Sequence, residues 1–125
     1  KDLLAQLSLA RDYGSAFLQE APLAFVVAGD SSLSDVWIED AAIAAIILQL
    51  AAKSLGLDSC WAQIRERKHD ESRSAEQYVQ ALLGLPPEMK VECLIAVGYA
   101  LEEKPARTEA ELGRERVSYN RYGRP

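Results

Sequence analysis

The sequence predicts one α/β (α+β) domain in which a central sheet carries helices on both faces. Two observations lead to this prediction: apolar, β-rich runs alternate with segments of helical periodicity, and the chain is 125 residues long. A chain of that length predicts a single domain with a modest core, here 1–125. Alternating strands and helices are typical of layered α/β architectures.

Periodicity and turn residues locate the outer helices. Apolar residues recur at three- and four-residue steps from Leu3 to Ala10, which predicts an amphipathic helix, and Gly14-Ser15 breaks it. A second stripe between Ala75 and Leu83 predicts another helix. Pro86-Pro87 follows it, and proline cannot continue a helix.

Three runs predict strands. Leu23–Ala28 is continuously apolar, as expected of a central strand covered on both faces. Ser59–Ile64 is a strand-like run of small and apolar residues, and Val91–Tyr99 predicts a second buried strand. Arg116–Asn120 is a candidate terminal strand.

The helix between Trp37 and Leu55 is the most apolar part of the chain. From Ala41 to Ala52 its only polar residue is Gln49. A helix that is apolar all round is expected to be buried on most sides, and this run is too short for the roughly 20 residues that cross a bilayer. Ser34 is the expected N-cap. Because a domain this small has little to cover such a helix, we expect a homodimer built largely on it, and no membrane association.

Composition narrows the function classes. The net charge is −5, which argues against nucleic acid as a partner. The last nineteen residues nevertheless carry five Arg against three Glu. These arginines form either a solvated basic tail or a surface that meets a phosphate or an acidic partner. Cys60 and Cys93 predict reduced, buried thiols in a cytoplasmic protein; a disulfide between them is the alternative.

Side-chain catalysts are not evident. The sequence has no nucleotide-binding glycine loop, no metal-ligand spacing and no hydrolytic triad. The catalytic residues are therefore unknown and no metal is expected. Glu39-Asp40 is interpreted as an exposed pair that complements the helix dipole, and His69 as a surface residue.

Several motifs together resemble one family. Trp37-x-Glu39-Asp40-Ala41, a helix of Ala, Ile and Leu, and Leu55-Gly-Leu-x-Ser-Cys-Trp61 are similar to the central segment of the FMN-dependent nitroreductases. The similarity continues in Val97-Gly-Tyr99, Glu103-Lys-Pro105 and Val117-x-Tyr-Asn120. It spans most of the chain.

The resemblance implies a nitroreductase-like three-layer sandwich that binds FMN between two subunits. Electrons would pass from NADH or NADPH to a small acceptor such as a nitroaromatic or quinone. Ser59, Cys60 and Trp61 match the segment lining the flavin ring, and Lys104 and Arg107 match basic residues near its phosphate. A flavin-dependent dehalogenase or ring-cleaving relative is one alternative; a non-catalytic flavin-binding or dimerisation module is the other.

This sequence departs from the family pattern in three respects. It has no counterpart of the family's arginine-rich N-terminal portion, so we expect an incomplete domain that binds FMN weakly or not at all by itself. Ile46-Ile47 stands where relatives often carry Gln-Asn. Ala62-Gln63-Ile64 follows the ring-lining segment where relatives frequently have glycine, which leaves less room beside the ring.

Overall fold

The structure, a computed structural model, describes residues 1–123. Short 3-10 turns lie at Ala16–Glu20, Glu109–Glu111 and Arg114–Arg116. The helices and strands, in chain order, are α1 (Asp2–Ser8), β1 (Leu23–Asp30), α2 (Trp37–Ser54), β2 (Asp58–Gln63), α3 (Ala75–Leu83) and β3 (Met89–Gly98).

The three strands form one antiparallel sheet in the order β1-β3-β2. Strand β3 is therefore central, and β1 and β2 are its edges within residues 1–123. The prediction that the Leu23–Ala28 run is the central strand is wrong. No residue of β1 is fully buried, and Leu23 and Phe25 are exposed. Strand β3 is buried continuously from Val91 to Val97 because it is covered on both faces and paired on both sides.

Helices cover both faces of this sheet, which confirms the three-layer prediction. Helices α1 and α3 pack on one face, where Leu7 and Val79 meet Leu94 and Ala96 of β3. Helix α2 packs on the other face, where its buried residues meet Cys93, Ile95 and Val97. Side chains of successive β3 residues therefore pack into two separate cores, because side chains alternate between the two faces of a strand.

A β-bulge interrupts the pairing of β1 with β3. Val27 lies opposite Cys93 and Ala28 opposite Val91, so Glu92 has no partner on β1. The extra residue reverses the alternation, and Val91 and Leu94 consequently face the same core. The Glu92 carbonyl turns towards the end of β2 and accepts the amides of Ile64 and Arg65, each at 3.1 Å.

The start of α2 differs from the prediction. The helix begins at Trp37 after Val36, and Ser34 does not cap it. The Ser34 hydroxyl instead donates to the Asp40 carboxylate at 3.2 Å. At its other end, Gly56 follows the helix and adopts a left-handed φ of 74° that a side chain would disfavour.

Helix α2 is less buried than its sequence suggests. Its buried residues are Ala41, Ala45 and Ala52, which face the sheet. Its outer side exposes half or more of Ile43, Ile46, Ile47 and Leu50. Within residues 1–123 of a single chain, the sheet covers only one side of the helix. Burial of its other sides by a second subunit stays a prediction.

His69 joins two helices of the opposite layer. Its Nδ1 lies 2.8 Å from the carbonyl oxygen of Leu9, just beyond α1, and its ring stacks on Tyr78 of α3 at 4.1 Å. The Tyr78 hydroxyl donates to the Gln6 carbonyl at 3.0 Å. The interpretation of His69 as a surface residue is therefore wrong: it is half-buried and helps to hold α1 against α3.

The segment after β3 is exposed. Residues from Tyr99 to Gly123 make no strand, and the candidate strand at Arg116–Asn120 is not formed: Arg116 ends a 3-10 turn and no described strand pairs with this segment. Strand formation requires a partner edge, and the chain leaves the sheet after Gly98. Leu101 and Tyr122 are fully exposed.

Gly98 tests the close packing at the end of β3. A Cβ there would lie 2.8 Å from Cδ of Pro22. We expect Gly98→Ala to lower the free energy of unfolding by about 1–3 kcal/mol, the usual cost of overpacking. Urea unfolding measures it. In a Pro22→Ala background the cost should largely disappear, and an equal cost in both backgrounds would contradict this packing.

Candidate functional site

Strand β2 carries the three residues that the family resemblance assigns to the flavin ring. Ser59 lies opposite Val97 and Trp61 opposite Ile95, so both side chains are on the α2 face of the sheet. Cys60 lies opposite Ala96, on the α1/α3 face. The three are adjacent in sequence, but their side chains do not converge on one surface. What they share is the backbone of an edge strand.

Gln49 anchors this strand to α2. Its side-chain amide donates to the Ser59 hydroxyl at 3.2 Å. Sequence reasoning noted Gln49 as the only polar residue in the apolar part of the helix but gave it no role. Gln49 is half-buried, and a lone polar residue in an apolar helix is expected to find a hydrogen-bond partner, so its polarity was the available signal.

A second anchor lies at the other end of β2. The indole N–H of Trp61 donates to Oε1 of Gln63 at 2.9 Å, and Nε2 of Gln63 donates to Oε1 of Glu92 at 3.2 Å. Glu92 is 6% exposed. Sequence reasoning gave neither Gln63 nor Glu92 a role in the site, because they lie 29 residues apart and only the sheet register brings them together.

An open hollow of about 1000 Å³ lies where β2 begins and β3 ends. Ser59 and Cys60 line it together with Gly98, Tyr99 and Lys104. Trp61 and Arg107 are not among its lining residues, and Arg107 lies in the exposed C-terminal segment. The structure thus brings together three of the five predicted site residues. Pockets for small organic ligands are typically about 300–1,000 Å³, so the volume suffices for a flavin ring.

The charges of this hollow are mainly negative. Lys53 is bound to Asp58 at 2.7 Å, and this hydrogen bond, followed by the charge of Asp58, raises the pKa of Lys53. Lys104 lies 3.5 Å from Glu102. The lining carboxylates, Glu20, Asp58, Glu102 and Glu103, outnumber its two lysines. The hollow therefore fits the neutral ring of FMN better than it fits the phosphate.

Comparison with known proteins supplies the family. The family model described as "Nitroreductase family" matches residues 2–99. The chain belongs to the nitroreductase family. A solved structure of an FMN-dependent nitroreductase from Clostridium difficile R20291 is similar, with 43% identity and a TM-score of 0.94, covering 97% of this chain and 70% of that one.

Other nitroreductase-family relatives agree. A protein of Archaeoglobus fulgidus, provisionally named NADH dehydrogenase/NAD(P)H nitroreductase, is 32% identical over 108 residues, which are 83% of this chain and 59% of that protein. A Bacteroides thetaiotaomicron structure of the same provisional name has 26% identity and a TM-score of 0.84, covering 97% of this chain and 67% of that one. The chain thus spans just over half the length of its curated relatives. No helix within residues 1–123 has the length and hydrophobicity needed to cross a membrane.

The two cysteines of this nitroreductase-family chain lie on opposite faces of the sheet and are both free. Cys93 is buried as predicted, whereas Cys60 is exposed because it lines the hollow. Burial, with a smaller contribution from the charge of Glu92, raises the pKa of the Cys93 thiol to about 12. The geometry excludes the disulfide between them.

Thiol chemistry checks this placement. We expect one fast-reacting thiol per folded chain with a colorimetric disulfide reagent at neutral pH, and none in Cys60→Ser. Cys93 should react only on unfolding, since the thiolate is the nucleophile.

The pKa of Cys93 also gives a stability prediction. Because its folded value of about 12 is above the ordinary 9.0, its contribution to stability is fully present below pH 9 and is lost as pH rises from there towards 12. In the assay with the disulfide reagent, two equally fast-reacting thiols in the folded protein would contradict the burial of Cys93.

Proposed function

We propose that this chain forms the core of an FMN-dependent oxidoreductase that passes electrons from NADH or NADPH to a small acceptor such as a nitroaromatic or quinone. The observation that carries the proposal is the match, over 97% of the chain, to a structure named as an FMN-dependent nitroreductase. The names of the archaeal relatives support a nicotinamide donor. The absence of an evident catalytic side chain is compatible with this function, because a bound flavin supplies the hydride chemistry.

In this proposal the edge of β2 binds the flavin ring. Edge strands present backbone N–H and C=O groups that have no partner in the sheet, and these can contact polar atoms of a ring. Ser59, Cys60 and Trp61 would contribute mainly their backbone, since their side chains point to alternating faces. Lys104 and Arg107 would meet the phosphate, because a phosphate dianion requires cations or a helix N-terminus.

The acidic hollow requires additional cations for that phosphate. Lys53 and Lys104 are both already close to carboxylates. We infer that a second subunit, or a further part of the protein, contributes positive charge. The non-catalytic alternative takes its support from the same acidic hollow, because a chain that does not bind the phosphate would not turn over. Two free cysteines are compatible with the cytoplasm, where thiols stay reduced.

The exposed side of α2 supports a homodimer. Four large aliphatic side chains, Ile43, Ile46, Ile47 and Leu50, are each at least half exposed along one helix. Covering each of them is worth up to about 1.5–3 kcal/mol, and the neighbouring alanines permit close approach of a second helix. The exposed apolar residues of the C-terminal segment, including Leu101 and Tyr122, add further surface for a second copy to cover.

Flavin affinity tests the enzyme proposal. We expect Lys104→Ala and Arg107→Ala each to weaken FMN binding by about 10–100-fold, the loss of one charge-assisted hydrogen bond. Ser59→Ala and Cys60→Ser should change affinity little, because their contacts would be backbone contacts. Quenching of flavin fluorescence measures all four. Arg116→Ala is the matched control, since Arg116 is exposed beside Glu115 in the same segment.

The contrary result is clear. A full-length protein that is colourless and ignores added FMN would refute the enzyme proposal and leave the non-catalytic module. A protein that binds FMN but reduces no nitroaromatic or quinone would favour the dehalogenase or ring-cleaving alternative.

Substitution on α2 tests the dimer. Ile47 is 59% exposed in the single chain, so Ile47→Asp should leave the protomer folded. It should abolish the dimer, because an unpaired charge buried in an interface costs several kcal/mol. Glu39→Ala should do little, since a helix-start charge contributes at most about 1 kcal/mol. Sedimentation measures both. A well-folded wild-type monomer at micromolar concentration would contradict the dimer.

A further inference from the structure

We propose that Glu92 is a positioning residue for the flavin site. It acts through Gln63 on Trp61 and so sets the pose of the β2 segment that would line the ring. The inference rests on the proposed function, because it concerns the flavin-lining role of Ser59–Trp61. The inference goes beyond the proposed function because it assigns a role to a buried carboxylate that does not line the hollow.

Glu92 is the origin of this chain of hydrogen bonds. It occupies the bulge of β3 and is 6% exposed, with Oε1 accepting from Gln63 and Oε2 buried without a partner. Its backbone carbonyl also accepts the amides of Ile64 and Arg65. Both the main chain and the side chain of Glu92 therefore hold the end of β2.

The surroundings of Gln63 allow only one orientation of its amide. Nε2 lies 3.2 Å from the Glu92 carboxylate and 3.3 Å from the Arg65 carbonyl, both of which only accept hydrogen bonds. Oε1 faces the Trp61 indole N–H, which only donates. If the amide were reversed, Oε1 of Gln63 would face the two acceptor oxygens and its NH₂ group would face the indole N–H of Trp61. Glu92, together with the Arg65 carbonyl, thus favours the orientation in which Gln63 offers an acceptor to Trp61.

Trp61 transmits this constraint to the strand. Its ring packs, with Leu48 and Leu57, against the core formed by Cys93, Ile95 and Val97. Strand β2 has a sheet partner on one side only among the described residues, so its position depends on that ladder and on side-chain anchors. A Trp61 ring released from Gln63 could change its rotamer, and the backbone of the ring-lining segment would then shift.

Stability does not account for a carboxylate at this position. Burying a charge with one oxygen unpartnered is unfavourable, and apolar replacements of buried ionic groups are often neutral or stabilising. A residue with only a packing role would be served at least as well by methionine. The retained function of Glu92 is the direction that it imposes on the Gln63 amide.

Two pairs of variants separate positioning from packing. Glu92→Met removes the acceptor at similar length, whereas Glu92→Gln retains an acceptor oxygen for Gln63. Gln63→Met removes the link itself, and the double variant Glu92→Met/Gln63→Met completes the cycle. All are made in a Trp37→Phe background, which leaves Trp61 as the single tryptophan, since the chain has two.

Three readouts are compared: thermal stability, Trp61 emission without flavin, and FMN affinity. We expect Glu92→Met to keep its stability, to shift the Trp61 emission, and to weaken FMN binding by at least about tenfold. Glu92→Gln should stay within about twofold of the parent protein, and the double variant should be no worse than the more damaging single variant.

Each other outcome overturns the proposal. Unchanged Trp61 emission in Glu92→Met means that Glu92 does not hold the indole. Shifted emission with unchanged FMN affinity means that the indole does not position the flavin site. Additive effects of the two methionine variants mean that Glu92 does not act through Gln63. If the full-length parent protein binds no FMN, the proposed function fails, and the emission measurements still decide whether the Glu92–Gln63–Trp61 chain exists.

Discussion

Strand β3 is the element on which the rest of the structure depends. Both β1 and β2 pair with β3 and not with each other. The two faces of β3 also supply buried residues to two separate hydrophobic cores. Any displacement of β3 would therefore disturb every layer at once. The bulge at Glu92 is significant for the same reason. One additional residue in the central strand redirects a carbonyl and a carboxylate towards the end of β2.

The candidate site inherits this dependence. A flavin ring needs a firm backbone edge beside it more than it needs reactive side chains, since the cofactor supplies the chemistry. Strand β2 offers such an edge because Gln49 of α2 fixes one end and Glu92 of β3 fixes the other. The same chain leaves the outer side of α2 uncovered and its hollow rich in carboxylates. The uncovered side of α2 is the basis of the proposed homodimer.

Sequence reasoning located the main elements well and their environment less well. Apolar runs and helical periodicity depend on local residues, so β1, β2, β3 and the long helix were found within a few positions. Pairing order is a non-local property, and the apolar content of Leu23–Ala28 could not reveal that this strand is an edge. The same limit applies to Cys60, which is exposed because it lines the hollow that β2 forms with the end of β3. Resemblance identified Ser59–Trp61 as a segment, but only the register shows that Gln63 and Glu92 support it.

The most direct test of the enzyme account is anaerobic reduction of the flavin-loaded protein by NADH or NADPH, followed by addition of a quinone or nitroaromatic. The account predicts that the flavin absorbance is bleached by the nicotinamide and returns when the acceptor is added, within the same protein sample. Flavin that remains oxidised in excess nicotinamide, while bound stoichiometrically, would contradict it, because the chain would then hold the cofactor without using it.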